Sequence, residues 1–204
     1  AQDPVGDEIA GPQIVIRLDE NGLPDIDWVE IPAGPFIYQD GETRELPGFL
    51  ISRYPITNRQ YQAFVDAGAY DDLEGAISKT RQMTDAGDVL NPWWRGLKRP
   101  PLETSRWPQS NRPRTNVNWY EAVAFCRWLS LELSGEEGTI RLPSEEEWEK
   151  AARGEKGLIY PWGNEYRSGY ANVDEARREA GLWHLAQIIA VGLYPQGASR
   201  YGVH

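Results

Sequence analysis

Three segments of the chain carry apolar residues at helical spacing, and each is bounded by residues that favour a helix start or stop. Thr57, Asn118 and Ser144 can each cap a helix, and each is followed three positions later by Gln or Glu, which completes a capping box. A glycine follows each segment and can end the helix. We therefore predict helices over residues 57–67, 118–134 and 144–153.

The same spacing predicts which side of each helix is buried. The apolar stripe of the first helix consists of Tyr61, Phe64 and Val65. The stripe of the second consists of Ala122, Phe125, Cys126, Leu129 and Leu133. In the third helix, the buried side is expected to carry Trp148, Ala151 and Ala152.

Short runs of apolar residues bounded by turn residues lie outside the helices and predict strands. They cover residues 14–18, 28–31, 36–38, 49–52 and 188–191. The run YPWGN at 160–164 has no helical period and predicts a tight aromatic turn. The chain holds 20 Gly and 15 Pro among 204 residues, which favours loops over a helical bundle. We expect a loop-rich α+β fold with few short helices and short antiparallel strands.

Charge and composition narrow the classes of partner. The net charge of −10 argues against nucleic acid, whose phosphates need clustered Lys and Arg, and against an anionic membrane surface. No apolar run approaches the ~20 residues that cross a bilayer. Cys126 is the one cysteine, so no internal disulfide can form, and we expect a cytoplasmic protein. Residues 1–13 read as a linker or tag remnant, and residues 14–204 as one domain.

Most residues with reactive side chains have a structural explanation. Cys126 could act as a nucleophile, but its place on an apolar helical stripe favours a small core residue. His184 and His204 are the only histidines, and two isolated imidazoles do not make a metal site. The acidic residues of the third helix lie near its N-terminus, where negative charge interacts favourably with the helix dipole. They are Glu145, Glu146, Glu147 and Glu149.

Two regions remain as candidate binding sites. Aromatic and basic residues cluster between positions 93 and 107, and form either a ligand surface or a loop pinned to the body by its tryptophans. The residues of this candidate surface are Trp93, Trp94, Arg95 and Trp107. The second region, around residues 172–179, is rich in the oxygen ligands that calcium takes. Its side chains are Asn172, Asp174, Glu175 and Glu179.

Six short phrases stand in a fixed order along the chain: WVEIPAGPF at 28–36, YPITN at 54–58, NVNWYEA at 116–122, FCRWL at 125–129, RLPSEEEWE at 141–149 and YPWGN at 160–164. Each phrase alone is a weak signal, but their order is specific. Together they resemble the formylglycine-generating enzyme, or sulfatase-modifying factor, family over about residues 28–204. The resemblance implies a C-type-lectin-like fold of the sulfatase-modifying-factor type with bound calcium.

The resemblance also implies a chemistry that this sequence supports only in part. Catalytic members bind copper through a cysteine pair and use oxygen to convert a protein cysteine to formylglycine, while other members act as binding surfaces. The family's cysteine pair follows a Gly-Asn-x-Trp-Glu-Trp phrase, which would come after His204, so we expect a domain truncated at its C-terminal end. Cys126 corresponds to neither copper ligand.

The calcium ligands implied by the resemblance are incomplete. Asn172 and the carbonyl of Val173 match one half of a family site. In the other half, Ala180 precedes Gly181 where the family has a carboxylate. Unless one of the neighbouring acidic residues substitutes, the site has lost a charge and would bind calcium weakly.

Two hypotheses of function follow. The first is a non-catalytic recognition module within a longer multidomain protein, with a protein partner or the missing C-terminal segment as its contact. The second is a copper- and oxygen-dependent oxidase that converts a protein cysteine to formylglycine, with its cysteine pair beyond His204. Copper is expected only under the second hypothesis, whereas calcium is compatible with both.

Overall fold

The computed structural model describes residues 16–72, 105–136, 138–174 and 187–204. These residues form an α+β arrangement of short antiparallel strands and few short helices, which confirms the predicted class. The strands are β1 (Trp28–Ile31), β2 (Gly34–Tyr38), β3 (Glu42–Leu46) and β4 (Phe49–Ser52). The helices are α1 (Asn58–Asp66), α2 (Trp119–Ser134) and α3 (Glu145–Arg153), with 3-10 turns at Ala69–Asp72 and Pro195–Gly197. The predicted linker at 1–13 lies outside the described residues, and the lectin-like arrangement stays a prediction.

The strands form two separate antiparallel pairs. In the first, β1 pairs with β4, so that Trp28 lies opposite Ser52. In the second, β2 and β3 form a hairpin. Strand β3 is absent from the sequence prediction because it is ETREL, a polar and mostly exposed strand without apolar alternation.

All three predicted helices are present, and each begins with the predicted capping box. The side chains of Thr57, Asn118 and Ser144 accept from the backbone N–H three residues on, and the Gln or Glu at that position accepts from the backbone N–H of the cap. Gly135 ends α2 in the left-handed conformation, with φ +71°. Helix boundaries therefore follow from local side chains.

The buried faces differ from the prediction in α2 and α3. In α3, Trp148 is 62% exposed, so its predicted burial is wrong, while Ala151 is buried as expected. Charged side chains take the inward positions because each has a partner there: Lys150 donates to two backbone carbonyls and Glu147 pairs with Arg141. In α2, Leu133 is 48% exposed, because the buried face runs through Glu121, Ala124, Phe125, Trp128 and Leu129, one position from the predicted stripe.

Two hydrophobic clusters make up the described core. The larger joins α1 and α2 around Phe64 and Phe125. The smaller joins the inner face of β1 to α3 through Val29, Ile31 and Ala151.

Two predicted strands are not confirmed where they are described. Residues 188–191 form no strand; they are held by a hydrogen bond from the Val191 N–H to the Asn111 carbonyl (2.9 Å) and by Arg112, which donates to the Ile188 carbonyl. In the predicted strand at 14–18, Leu18 makes an isolated bridge to Pro24. Among the described helices, none combines the length and apolar character needed to cross a bilayer.

Candidate binding groove

A groove of about 470 Å³ runs beside β4 and is lined mainly by apolar side chains. One wall is β4 itself. Phe125, Cys126 and Leu129 of α2 and the loop at 139–143 also line the groove. We call this feature the β4 groove. Its volume and apolar lining are typical of binding sites.

The β4 groove follows the edge of β4 and not one face of the sheet. All four residues of the strand line it, although successive side chains of a strand point to opposite faces. The Arg53 N–H donates to the Asp27 carbonyl at 2.8 Å, which makes these residues a hydrogen-bonded pair. Hydrogen-bonded and non-hydrogen-bonded pairs alternate along an antiparallel ladder, so Leu50 and Ser52 belong to non-hydrogen-bonded pairs. Their backbone N–H and C=O therefore point away from β1.

The rim of the groove combines exposed apolar residues with an ion pair. Leu50 is 61% exposed and Trp28 is 38% exposed. Arg141 binds the Glu147 carboxylate through its two terminal guanidinium nitrogens, at 2.6 and 2.7 Å. The Arg141 guanidinium and the Ser144 cap lower the pKa of Glu147, so the rim carries a fixed carboxylate.

Cys126 lies in the groove wall and is partly buried. Burial raises the pKa of its thiol to about 11. The thiol is therefore protonated at neutral pH and is a weak nucleophile and metal ligand. This agrees with the interpretation of Cys126 as a packed residue.

A second, more polar cleft of about 550 Å³ shares Ile26, Ser52 and Ile56 with the β4 groove. It contains the side chain of Tyr54, whose ring lies 5.0 Å from the ring of His204. Burial and the Arg53 guanidinium lower the pKa of His204, so its imidazole is neutral at pH 7. His184, the other histidine, lies outside the described residues.

The predicted calcium ligands lie at an exposed edge. Asn172 is exposed, and its side-chain nitrogen donates to the Gln187 carbonyl at 2.9 Å. Val173 is 53% exposed. Asp174, another predicted oxygen donor, is exposed. The remaining two, Glu175 and Glu179, lie outside the described residues.

Of the predicted ligand surface, only Trp107 is described, and it is tied to the body. Its backbone carbonyl accepts from Asn58 Nδ2 at 2.8 Å, and its backbone N–H donates to Ser105 Oγ at 3.2 Å. The Arg106 guanidinium lies over its ring at 5.0 Å. Trp93, Trp94 and Arg95 lie outside the described residues.

The predicted acidic residues of α3 are all engaged with other side chains. Glu146 pairs with Arg44, Glu149 with Arg153, and Glu145 accepts from Gln39. Within the described residues no group of three His, Cys, Asp or Glu side chains is arranged to hold a metal ion. The sequence analysis did not predict the groove. Its one signal was the two apolar runs FLIS and WVEI, and the sequence alone does not show that these runs pair in a sheet.

These features define a class: a loop-rich α+β domain whose three described helices each begin with a capping box and in which an apolar groove runs beside β4. The chain matches the model of the sulfatase-modifying factor enzyme 1-like domain over residues 18–204. It belongs to this family, as the resemblance of its sequence phrases predicts.

Three relatives show the range of the family. The formylglycine-generating enzyme of Thermomonospora curvata is 35% identical over 169 residues, which cover 67% of this chain and 52% of the relative. The inactive C-alpha-formylglycine-generating enzyme 2 of Mus musculus is 28% identical, over 81% of this chain and 60% of the relative. The hercynine oxygenase of Mycolicibacterium smegmatis is 29% identical, over 85% of this chain and 42% of the relative. The chain thus spans about half the length of the curated relatives it matches.

Proposed function

We propose that this chain is a non-catalytic recognition module on a sulfatase-modifying-factor scaffold, within a longer multidomain protein. The β4 groove is its contact surface for a protein partner. The observation that carries the proposal is the setting of Cys126, whose thiol forms part of an apolar groove wall. Such a wall suits apolar contact with a partner more than redox chemistry.

Copper does not fit the described residues. Copper(I) favours soft thiolate ligands, and the catalytic site implied by the family resemblance uses a pair of them. This chain holds one cysteine, and burial keeps its thiol protonated at neutral pH by raising its pKa to about 11. No step through copper is therefore derived for Cys126.

The family also contains a precedent for a scaffold without activity. The Mus musculus relative that covers 81% of this chain is named an inactive C-alpha-formylglycine-generating enzyme. A chain of this family can therefore keep the sequence of the scaffold without the reaction, which supports a binding role.

The test uses the chain with copper(I), a cysteine-containing peptide and air, with mass spectrometry to detect an aldehyde. We expect no aldehyde, and the same copper(I) affinity, in competition with a chelator, for the chain and for Cys126→Ala. Aldehyde formation that is lost in Cys126→Ala would overturn the proposal. Aldehyde formation retained in Cys126→Ala would also overturn it and point to other ligands.

The second candidate function is the oxidase. It is favoured by the relative of Thermomonospora curvata named a formylglycine-generating enzyme, at 35% identity. Under this hypothesis the cysteine pair lies beyond His204. The same assay on the full-length protein decides between the two, because aldehyde formation that depends on those cysteines would establish the oxidase.

We also propose a weak calcium site at Asn172 and the carbonyl of Val173, as the family resemblance implies. The Asn172 side-chain nitrogen donates to the Gln187 carbonyl at 2.9 Å, so the amide oxygen is the atom that Asn172 would offer to calcium. Calcium takes about six to eight oxygen ligands, so two do not make a site. We therefore expect calcium to raise the melting temperature by little, and Asn172→Ala to remove that effect. A large calcium-dependent shift would overturn the weak site and indicate that Asp174, Glu175 or Glu179 supplies the missing charge.

We further propose a cytoplasmic location, because the chain contains no pair of cysteines that could form an internal disulfide. A fluorescent fusion of the full-length protein tests this. Fluorescence confined outside the cytoplasm would overturn it.

A further inference from the structure

We propose that the polar cleft binds a free α-amino acid, with Arg17 holding its carboxylate and Asp25 its ammonium group. The polar cleft is the second cleft described above, of about 550 Å³, and its lining includes Arg17, Asp25, Ser52 and Tyr54. The inference goes beyond the proposed recognition function, because the ligand is a small molecule and both charged contacts lie outside the β4 groove.

Arg17 and Asp25 lie directly opposite each other on two short antiparallel segments. Leu18 forms a bridge with Pro24, and the Asp25 N–H donates to the Arg17 carbonyl at 3.2 Å. Residues opposite each other in an antiparallel pair project their side chains to the same face, and both residues line the cleft. The fold therefore holds a guanidinium and a carboxylate side by side at one wall.

These two charges have no partner in the described part of the chain. Neither the Arg17 guanidinium nor the Asp25 carboxylate makes a hydrogen bond or ion pair with another described side chain. Asp27, the other carboxylate of the cleft, is already bound by Arg53 Nε at 2.7 Å. One positive and one negative group thus remain available to a ligand.

The floor of the cleft is fixed before a ligand arrives. Ile26, Thr57 and Gln60 are at most 8% exposed. Gln60 Nε2 donates to the Asp25 carbonyl at 3.4 Å, and the Thr57 capping box fixes the start of α1 beside it. A cleft that already has its shape loses less conformational entropy when it binds a ligand.

The two charges define the class of ligand. A guanidinium binds a carboxylate through two parallel hydrogen bonds, and a carboxylate accepts from an ammonium group. An α-amino acid carries both groups on one carbon atom, whereas a simple anion or a simple amine would leave one charge of the cleft without a partner. The cleft volume lies in the range of small-molecule sites.

The other lining residues favour a ligand side chain with both apolar and polar atoms. Ile26 and Ile56 offer apolar contacts. The hydroxyls of Ser52 and Tyr54 make no hydrogen bond within the described residues, and the Tyr54 ring is held by the His204 ring at 5.0 Å. L-Glutamine, with two methylenes and an amide, matches this combination and is the probe.

Binding is measured by titrating L-glutamine into the ¹⁵N-labelled chain and following its amide NMR signals. We expect saturable binding of one molecule per chain with a Kd below about 5 mM. The signals that shift should belong to residues of the polar cleft. Absence of saturation up to about 20 mM, or shifts confined to residues outside the cleft, would overturn the inference.

Two analogues of the probe test the charges separately. L-Glutaminamide lacks the carboxylate, and N-acetyl-L-glutamine lacks the ammonium group. Each should bind at least about threefold more weakly than L-glutamine, because each leaves one charge of the cleft without a partner. Equal affinity of all three compounds would overturn the zwitterion site.

Variants of the chain assign each charge to its residue. Arg17→Gln should weaken L-glutamine binding at least about threefold and leave the affinity for L-glutaminamide unchanged. Asp25→Asn should likewise weaken L-glutamine binding and leave the affinity for N-acetyl-L-glutamine unchanged. The opposite pattern, or an equal loss for every compound, would overturn the assignment.

Matched controls change the net charge equally at exposed residues outside the cleft. They are Arg59→Gln and Asp40→Asn, and both should bind L-glutamine like the wild type. The NMR spectra show whether each variant keeps its fold. A loss in the controls equal to that in Arg17→Gln and Asp25→Asn would overturn the location.

The outcomes separate this inference from the proposed function. Absence of L-glutamine binding together with absence of aldehyde formation would overturn the amino acid site and leave the recognition module standing. Aldehyde formation by the chain would overturn the module, whereas the amino acid site depends only on the titrations.

Discussion

Lys150 donates to the carbonyl of Gly34 at 2.9 Å although the residue is only 1% exposed. Its ammonium also donates to the Pro32 carbonyl at 2.8 Å. Helix α3 is thereby fastened to the turn between β1 and β2. Burial of the ammonium lowers the pKa of Lys150, while the carboxylates of Glu155 and Glu45 act in the opposite direction.

We predict that Lys150→Met lowers the free energy of unfolding by about 1–3 kcal/mol at pH 7, because two carbonyls lose their donor. The pH dependence has a definite sign. With its folded pKa depressed, Lys150 binds a proton more readily in the unfolded chain, so its contribution to stability increases as pH rises toward the ordinary lysine pKa. Urea unfolding of both proteins between pH 7 and 10 should show that the free energy of unfolding of the wild type increases relative to that of the variant. A constant difference would contradict this.

The capping box of α3 gives a second prediction. Ser144→Ala should lower the free energy of unfolding by about 1 kcal/mol, since the Glu147 N–H loses its acceptor. Ser110→Ala, at an exposed turn position outside the helices, serves as the control with a smaller expected effect. Equal losses in the two variants would argue against a specific role of the cap. Urea denaturation measures both.

Glu147→Gln should destabilise the protein in a pH-dependent manner. The pKa of Glu147 is lowered, first of all by Arg141, so its contribution is fully present above the ordinary glutamate pKa and is lost as pH falls through the folded value. The stability difference between wild type and variant should therefore shrink in acid. A difference that grows on acidification would contradict the ion pair.

The buried pair of Tyr70 and Glu121 gives a further prediction. The Tyr70 hydroxyl donates to Glu121 Oε1, while Glu121 Oε2 accepts from the Asn118 N–H at 2.8 Å. Tyr70→Phe should lower the free energy of unfolding by about 1.5–3 kcal/mol, because a buried carboxylate loses a donor. Tyr166→Phe, at a residue 50% exposed, is the matched control and should change it by less than about 0.5 kcal/mol.

Alkylation of Cys126 by iodoacetamide should follow a thiol pKa of about 11, because burial disfavours the thiolate. The rate is expected to rise steadily from pH 7 to pH 10 without a plateau. A plateau near pH 8 would show an activated thiol and would contradict the packed setting on which the proposed function rests.

The sequence predicts what local chemistry decides. Caps at Thr57, Asn118 and Ser144 place all three helices, because each cap acts within four residues. The exposure of Trp148 was not predictable, since the inward side of α3 is set by the distant carbonyls that receive Lys150. The β4 groove was equally hidden, because it depends on the pairing of β1 with β4.

The β4 groove lies at the seam between the two hydrophobic clusters. Phe125 and Leu129 belong to one cluster, whereas Phe49 and Ile51 pack against the other. A partner bound in the groove would lie between side chains of both clusters. Occupancy would then raise the melting temperature and couple the unfolding of the two clusters.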